Sequence, residues 1–361
     1  MSSMKISIIL RDITERGGGE RVCANLANAL VQKHQVQIIS FYHLQSLSYP
    51  LDERIELLFL SNVGEKSGGS WRAFLRRIFY RYILSWQVQK YLKDAQIVIA
   101  NDRALAPFLK QRDKSYIRLW HLNFSKRKRN LRFFDALVVL SNKELEKWRA
   151  IHPNVWVIPN FLPCIGKSLT KWDQYNVLSV GRMDRGDQKG FLRLVEIFAS
   201  IAPKYPQWTL TLVGEGILKE QIEQKIKILN LEHQIILKPF TQEIEQEYLK
   251  ASFYVMASYF EGFGMVLAES GSYGLASVAF DICSGPSDLI EDGETGYLVE
   301  DGDLEGFACK MELLMQSQAL REEMGCKARR KIEEEFLQES VLLKWEKLFS
   351  LLQTHNPQSL R

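Results

Sequence analysis

What most constrains this chain is that short β-branched runs alternate with amphipathic helical patterns, and that the alternation starts afresh half-way. The first round has apolar runs at 6–10, 36–41, 116–120, 135–140 and 155–158, with a helical pattern at 20–33 after the first of them. The second begins at Tyr175 and places runs at 177–180, 209–213, 235–237 and 253–257 between helical patterns at 191–201, 217–229, 243–251 and 264–273. Such alternation implies parallel sheets covered by helices on both faces. At 361 residues the chain is too long for one ordinary core and suits two domains. The predicted division is 1–163 and 164–335, with Pro163 and Gly166 marking the linker, followed by a helical segment at 336–361.

Composition excludes several classes. With 46% hydrophobic and 25% charged residues the chain reads as globular, not disordered. The five cysteines, Cys23, Cys164, Cys283, Cys309 and Cys326, are odd in number and lack Cys-x-x-Cys spacing, so neither a disulfide framework nor a zinc site is expected. The first apolar run is followed at once by Arg11 and Asp12, unlike a secretory signal, and no run of about 18 uncharged apolar residues offers a membrane span. A cytoplasmic protein with at most peripheral membrane contact is the expectation. Charge is distributed unevenly: residues 1–160 carry 26 Lys and Arg against 13 Asp and Glu, whereas 161–361 carry 21 against 30. The basic half is predicted to meet an anionic surface.

Two basic segments stand out there. In 71–93, Trp71, Phe74, Leu75, Ile78, Tyr82 and Trp86 fall at helical spacing while Arg72, Arg76, Arg77 and Arg81 crowd the remaining surface. This is the pattern of an interfacial helix, or of a helix that packs its stripe on the core and solvates its arginines. Lys126, Arg127, Lys128 and Arg129 form the second cluster. With it and the charge asymmetry, anionic lipid is favoured, at about 1 kcal/mol per basic residue near a membrane. No nucleic-acid reader motif interrupts this half.

The densest chemistry lies between Ser258 and Asp301. Glu261 sits in a Gly-rich turn with Gly262 and Gly264, and Glu269 follows two helical turns later. A helix starting near Gly264 would aim unsatisfied N–H groups at a phosphate or sugar oxygen. The alternative is an acidic helix start with one solvated glutamate. Upstream, Gly181 and Arg182 follow a strand, and Lys189 and Gly190 precede a helix. Near the start of the chain, Gly17, Gly18 and Gly19 lie between strand and helix as a phosphate cradle or a tight turn, without the dinucleotide fingerprint.

Together these motifs resemble the retaining glycosyltransferases of family 4, the group 1 glycosyl transferases, over nearly the whole chain. The resemblance implies the GT-B fold, two Rossmann-like domains facing each other across a deep crevice, with the final helix crossing back to the first domain. It assigns the donor diphosphate to Arg182, Lys189, Gly18 and Gly19, and the donor sugar to Glu261 and to His121, which ends the run at 116–120. The ribose falls to Glu269, and the segment at 235–240, with Phe240, to the nucleotide base. The backbone N–H groups of Phe263, Gly264 and Met265 would lie near phosphate and sugar. Fixed cations neutralise a leaving diphosphate without a metal, and the chain is read as lacking an Asp-x-Asp metal pair, so neither metal nor other cofactor is expected. The expected activity is retaining transfer of a hexose or N-acetylhexosamine from a UDP-sugar to a lipid-linked, lipopolysaccharide-type or capsule-type glycan at the inner face of the cytoplasmic membrane. A UDP-sugar epimerase of related fold and a non-catalytic glycan-binding subunit are the alternatives. The first would need further acid/base residues, and the second is disfavoured by intact Arg182, Glu261 and Glu269.

Overall fold

In the computed structural model, the described residues are 3–61, 71–101, 105, 110–124 and 131–354, with the side chains of 71–78 excepted. The basic cluster Lys126–Arg129 and the side chains of Arg72, Arg76 and Arg77 therefore lie outside them.

The chain divides into two compact units, one of Met1–Leu140, Leu145–Ile158 and Val341–Arg361, the other of Ser141–Glu144 and Pro159–Ser340. The first is built on a seven-stranded parallel sheet: β1 (Lys5–Leu10), β2 (Gln35–Ser40), β3 (Glu56–Phe59), β4 (Ile97–Asn101), β5 (Ser115–Trp120), β6 (Ala136–Val139) and β7 (Val155–Val157). Their spatial order is β3-β2-β1-β4-β5-β6-β7. Strand β4 is buried along its whole length and β1 at all but its first residue, which is why Ile6, Ile8, Ile9 and Leu10 of β1 and 97–100 of β4 are apolar without the alternation of a half-exposed strand; β4 and β3 are strands that the sequence pattern did not mark. Helix α1 (Gly18–Leu30) follows β1 and turns Cys23, Leu26, Ala27 and Leu30 into the core. Helices α2 (Trp71–Val88) and α3 (Leu145–Arg149) complete the first part of the unit.

Of the predicted stripe on helix α2, Tyr82 and Trp86 are the side chains among the described residues, and both are exposed. Leu84, Ser85 and Val88 face the core, while Phe79, Tyr82, Ile83 and Trp86 are exposed. Tyr82 and Trp86 thus belong to the outer face, and Lys90 lies over the Trp86 ring at 5.4 Å. Arg81 donates to the Leu105 carbonyl at 3.4 Å.

The second unit carries a six-stranded parallel sheet, β8 (Asn176–Val180), β9 (Thr209–Val213), β10 (Ile235–Lys238), β11 (Phe253–Met256), β12 (Ser277–Phe280) and β13 (Gly296–Val299), in the order β10-β9-β8-β11-β12-β13. Around it stand α4 (Phe191–Ile201), α5 (Lys219–Ile228), α6 (Ile244–Leu249), α7 (Met265–Ser272), α8 (Pro286–Leu289), α9 (Leu304–Gln316) and α10 (Gln318–Glu335). Helix α4 is capped through Asp187, whose carboxylate accepts from the N–H groups of Phe191 at 2.8 Å and Leu192 at 3.0 Å. Two parallel sheets of this kind are Rossmann-like units. In each, the strand order reverses at one point, between β1 and β4 and between β8 and β11, and open α/β sheets bind ligands beyond the strand ends at that point.

The last helix, α11 (Gln338–Thr354), buries Val341, Trp345, Leu348, Phe349 and Leu352, a stripe of helical period. Within the first unit, His34 accepts from the Met4 N–H at 3.3 Å and meets Glu346 of this helix at 2.9 Å.

Candidate active site

Strands β8 and β11 pair in parallel at the reversal point of the second sheet, and the residues that follow them build the site. Beyond β8 come Gly181 and Arg182, beyond β11 the turn from Ser258 to Gly264. The ammonium of Lys189, on the loop before α4, donates to Glu261 Oε1 at 2.6 Å. On its way the lysine stem passes over Gly181, where a Cβ would stand 2.9 Å from Lys189 Cγ. Glycine there is required by this close approach. The Ser258 hydroxyl donates to the same Glu261 oxygen at 2.7 Å, and Ser284 donates to the Glu261 carbonyl at 2.7 Å. Glu261 is 7% exposed, so its charge is balanced by one cation in a largely desolvated turn.

The turn itself is fixed from behind by a buried guanidinium. Arg193, on α4, donates to the carbonyls of Ala257 at 2.5 Å and Ser258 at 2.6 Å and to Asp301 at 2.8 Å. Its plane lies between the rings of Tyr259 at 3.9 Å and Phe280 at 4.1 Å. The Gln188 amide donates to the Phe260 carbonyl at 3.1 Å, tying the two loops together. Asp301 and Asp303 do have Asp-x-Asp spacing, but the first serves Arg193 and the second accepts from the Gly306 N–H as the cap of α9.

Gly264 is the N-cap of α7, at φ 88°, a conformation suited to glycine. The first N–H groups of α7 have no helical acceptor. Phe263 keeps its side chain inside, against Phe336 at 5.6 Å between ring centroids, so only its backbone faces the turn. One turn further on, Glu269 is half-buried and accepts from the Tyr248 hydroxyl at 3.1 Å. Tyr248 is fully buried and stacked on Tyr273. Burial pushes the Tyr273 hydroxyl up to about 12, so it stays protonated. The Arg182 side chain is 68% exposed and sits 3.3 Å from Asp184. Phe240 follows β10 as an exposed ring.

In the first unit, the ends of β1, β4 and β5 bring a second set together. A side chain at Gly18 would meet nothing within 4 Å, whereas one at Gly19 would stand 3.6 Å from Asn101 Nδ2 and 3.8 Å from His121 Cδ2. Asn101 Oδ1 faces His121 Nε2 within hydrogen-bond reach. Burial, assisted by the Arg118 charge, lowers the His121 pKa to about 4. At neutral pH it is an uncharged imidazole. His152 is a satisfied structural residue between the carbonyls of Asn154 and Phe134.

The family model for glycosyl transferases group 1 matches residues 165–331, and that for glycosyltransferase family 4 matches residues 16–164. This chain belongs to the group 1 glycosyltransferases. Among relatives of this glycosyltransferase, the amylovoran biosynthesis glycosyltransferase AmsD of Erwinia amylovora is 27% identical, over 94% of this chain and 98% of its own. Among solved structures, S. aureus TarM in complex with Fondaparinux, alpha-GlcNAc-glycerol and UDP has a TM-score of 0.77 at 18% identity, covering 96% of this chain and 99% of that one. The lipopolysaccharide outer core galactosyltransferase WaaB has a TM-score of 0.76 at 20% identity, covering 96% and 100%. These likenesses establish the GT-B fold. For this glycosyltransferase, Ser258, Arg193, Tyr248 and Asn101 are site residues that the sequence did not single out. Only the position of Ser258 and Asn101 at the ends of strands could have pointed to them.

Proposed function

We propose that this glycosyltransferase moves a hexose or N-acetylhexosamine from a UDP-sugar, with retention, to a lipid-linked, lipopolysaccharide-type or capsule-type glycan. The observation that carries this is the Lys189–Glu261–Ser258 cluster at the strand-order reversal, with α7 beginning four residues after Glu261. A carboxylate held there stabilises the positive charge that grows at the anomeric carbon as its bond to the diphosphate breaks. Lys189, Arg182, the first N–H groups of α7 around Gly264 and Met265, and the N–H groups of Gly18 and Gly19 receive the charge of the departing diphosphate. Attack by the acceptor hydroxyl on the face the diphosphate leaves gives retention, and its proton goes to the departing phosphate oxygen. Glu269 takes the ribose hydroxyls, Phe240 and the end of β10 the base, and neutral His121 a sugar hydroxyl. Fixed cations make a metal unnecessary in this reading.

The UDP bound by TarM and the glycan-building names of AmsD and WaaB support the donor and acceptor classes. The exposed face of α2, with Phe79, Tyr82, Ile83 and Trp86 beside Arg81 and Lys90, supports peripheral attachment to an anionic membrane. No helix among the described residues is long and apolar enough to cross a membrane.

The test is incubation with UDP-glucose, UDP-galactose, UDP-N-acetylglucosamine and UDP-N-acetylgalactosamine, with and without EDTA, following thermal shift and UDP release. EDTA-insensitive release from one of them, abolished in Glu261→Ala, is expected. No shift with any nucleotide sugar would overturn the reading.

A further inference from the structure

Glu261 has two side-chain donors, and both meet the same oxygen. Lys189 Nζ reaches Oε1 at 2.6 Å and Ser258 Oγ reaches it at 2.7 Å. The two donors differ in how they are mounted. Lys189 sits on the loop before α4 at the end of a flexible stem, 72 residues away in sequence. Ser258 stands three residues before Glu261 in the same turn, is 1% exposed, and has its own carbonyl held by the buried Arg193.

That difference matters once a second anion arrives. On the reading proposed above, on which this inference rests, the donor brings a diphosphate to the cation that Glu261 now holds. An ammonium has three donors and a mobile stem, so Lys189 turns toward the phosphate oxygens at the expense of its bond to Glu261. The carboxylate would then lose its only cationic partner among the described residues at the moment its position and charge are needed. We infer that Ser258 is a positioning residue for the reaction: its hydroxyl holds Glu261 Oε1 whichever anion Lys189 serves, and keeps Oε2 turned to the donor sugar. The bond lies within one turn, so it is indifferent to movement of the Lys189 loop. Ser284 and Gly285 back it from the other side: Ser284 binds the Glu261 carbonyl, and a Cβ on Gly285 would stand 3.4 Å from Glu261 Cβ.

The test uses the full chain and hydrolysis of whichever of the four UDP-sugars named above the wild type cleaves, with UDP binding by calorimetry alongside. Ser258→Ala is expected to lower kcat about tenfold, the worth of one hydrogen bond to a charged group, with KM and UDP affinity held within about twofold. Ser258→Thr, which keeps the hydroxyl, recovers most of the loss. Ser258→Cys preserves volume with a weak donor and gives the same comparison in case alanine destabilises the turn. An unchanged kcat in both Ser258→Ala and Ser258→Cys, or a loss carried by KM and UDP affinity with kcat kept, overturns the inference alone. A wild type that hydrolyses none of the four overturns the donor reading, and this inference with it.

Discussion

Replacing Arg193 by methionine separates the support of the turn from its chemistry. The variant keeps an aliphatic stem between Tyr259 and Phe280 and removes the guanidinium. The carbonyls of Ala257 and Ser258, in residues 0% and 1% exposed, then lose the donors they have at 2.5 Å and 2.6 Å. Each buried acceptor left in that state costs about 1–3 kcal/mol. The paired ring contacts add about 1 kcal/mol. Asp301, 44% exposed at its side chain, contributes no more than about 1 kcal/mol through the ion pair. The expected local destabilisation is therefore about 4 kcal/mol, centred on 257–261. Hydrogen exchange read at those amides measures it directly, since local opening is governed by local stability. Protection there should fall by roughly three orders of magnitude. Asp301→Asn should change it little, and Arg193→Lys should resemble methionine, because an ammonium cannot reproduce the guanidinium fork. A loss below about 1 kcal/mol, or an Asp301→Asn effect as large as that of Arg193→Met, would refute the reasoning.

Three further outcomes follow from the geometry. His121 has a folded pKa of about 4 against an ordinary 6.5. The unfolded chain thus binds the proton first, and stability should be complete above pH 6.5 and fall as pH drops from 6.5 to 4, by at most about 3 kcal/mol. Denaturant titrations of wild type and His121→Asn check this, and the asparagine variant should lack that slope. Tyr248→Phe removes the tyrosine hydroxyl that donates to Glu269 and should weaken UDP binding by about fivefold to tenfold in calorimetry, and less for 2′-deoxy-UDP or 3′-deoxy-UDP if the carboxylate reads the ribose. Equal losses for all three nucleotides would count against that role. Phe79→Ser with Trp86→Ser should reduce binding to phosphatidylserine vesicles while sparing UDP-sugar hydrolysis. Unchanged vesicle binding would remove the membrane role from α2.

Strands such as Phe253–Met256 were legible because burial on both faces demands an apolar run, whereas Glu56–Phe59 and Ile97–Asn101 are strands that the sequence pattern did not mark. The glycines were legible for a similar reason. Gly264 at φ 88° and Gly181 under the lysine stem satisfy backbone and contact constraints that few other residues meet. Which face of helix α2 turns inward was left open by the sequence, because nearly every position of Trp71–Val88 is apolar, aromatic or arginine. Stripes through Tyr82 and Trp86 and through Leu84 and Val88 have the same period, and only packing against the sheet decides between them.

Arg193 marks the deeper limit. In sequence it is one cation two residues into an amphipathic helix, where a solvated role is the ordinary expectation. It is buried because two main-chain carbonyls at the end of β11 have no strand partner and need donors, a demand created 64 residues away. Periodicity can show which residues face a core, but not which backbone groups the core leaves unsatisfied. Asn101, Ser258 and Tyr248 escaped notice on the same ground, since each is a polar group whose task is set by one tertiary partner. Acidic and basic residues in Gly-rich turns announce a site. The neutral donors that hold them in position are read only from the fold.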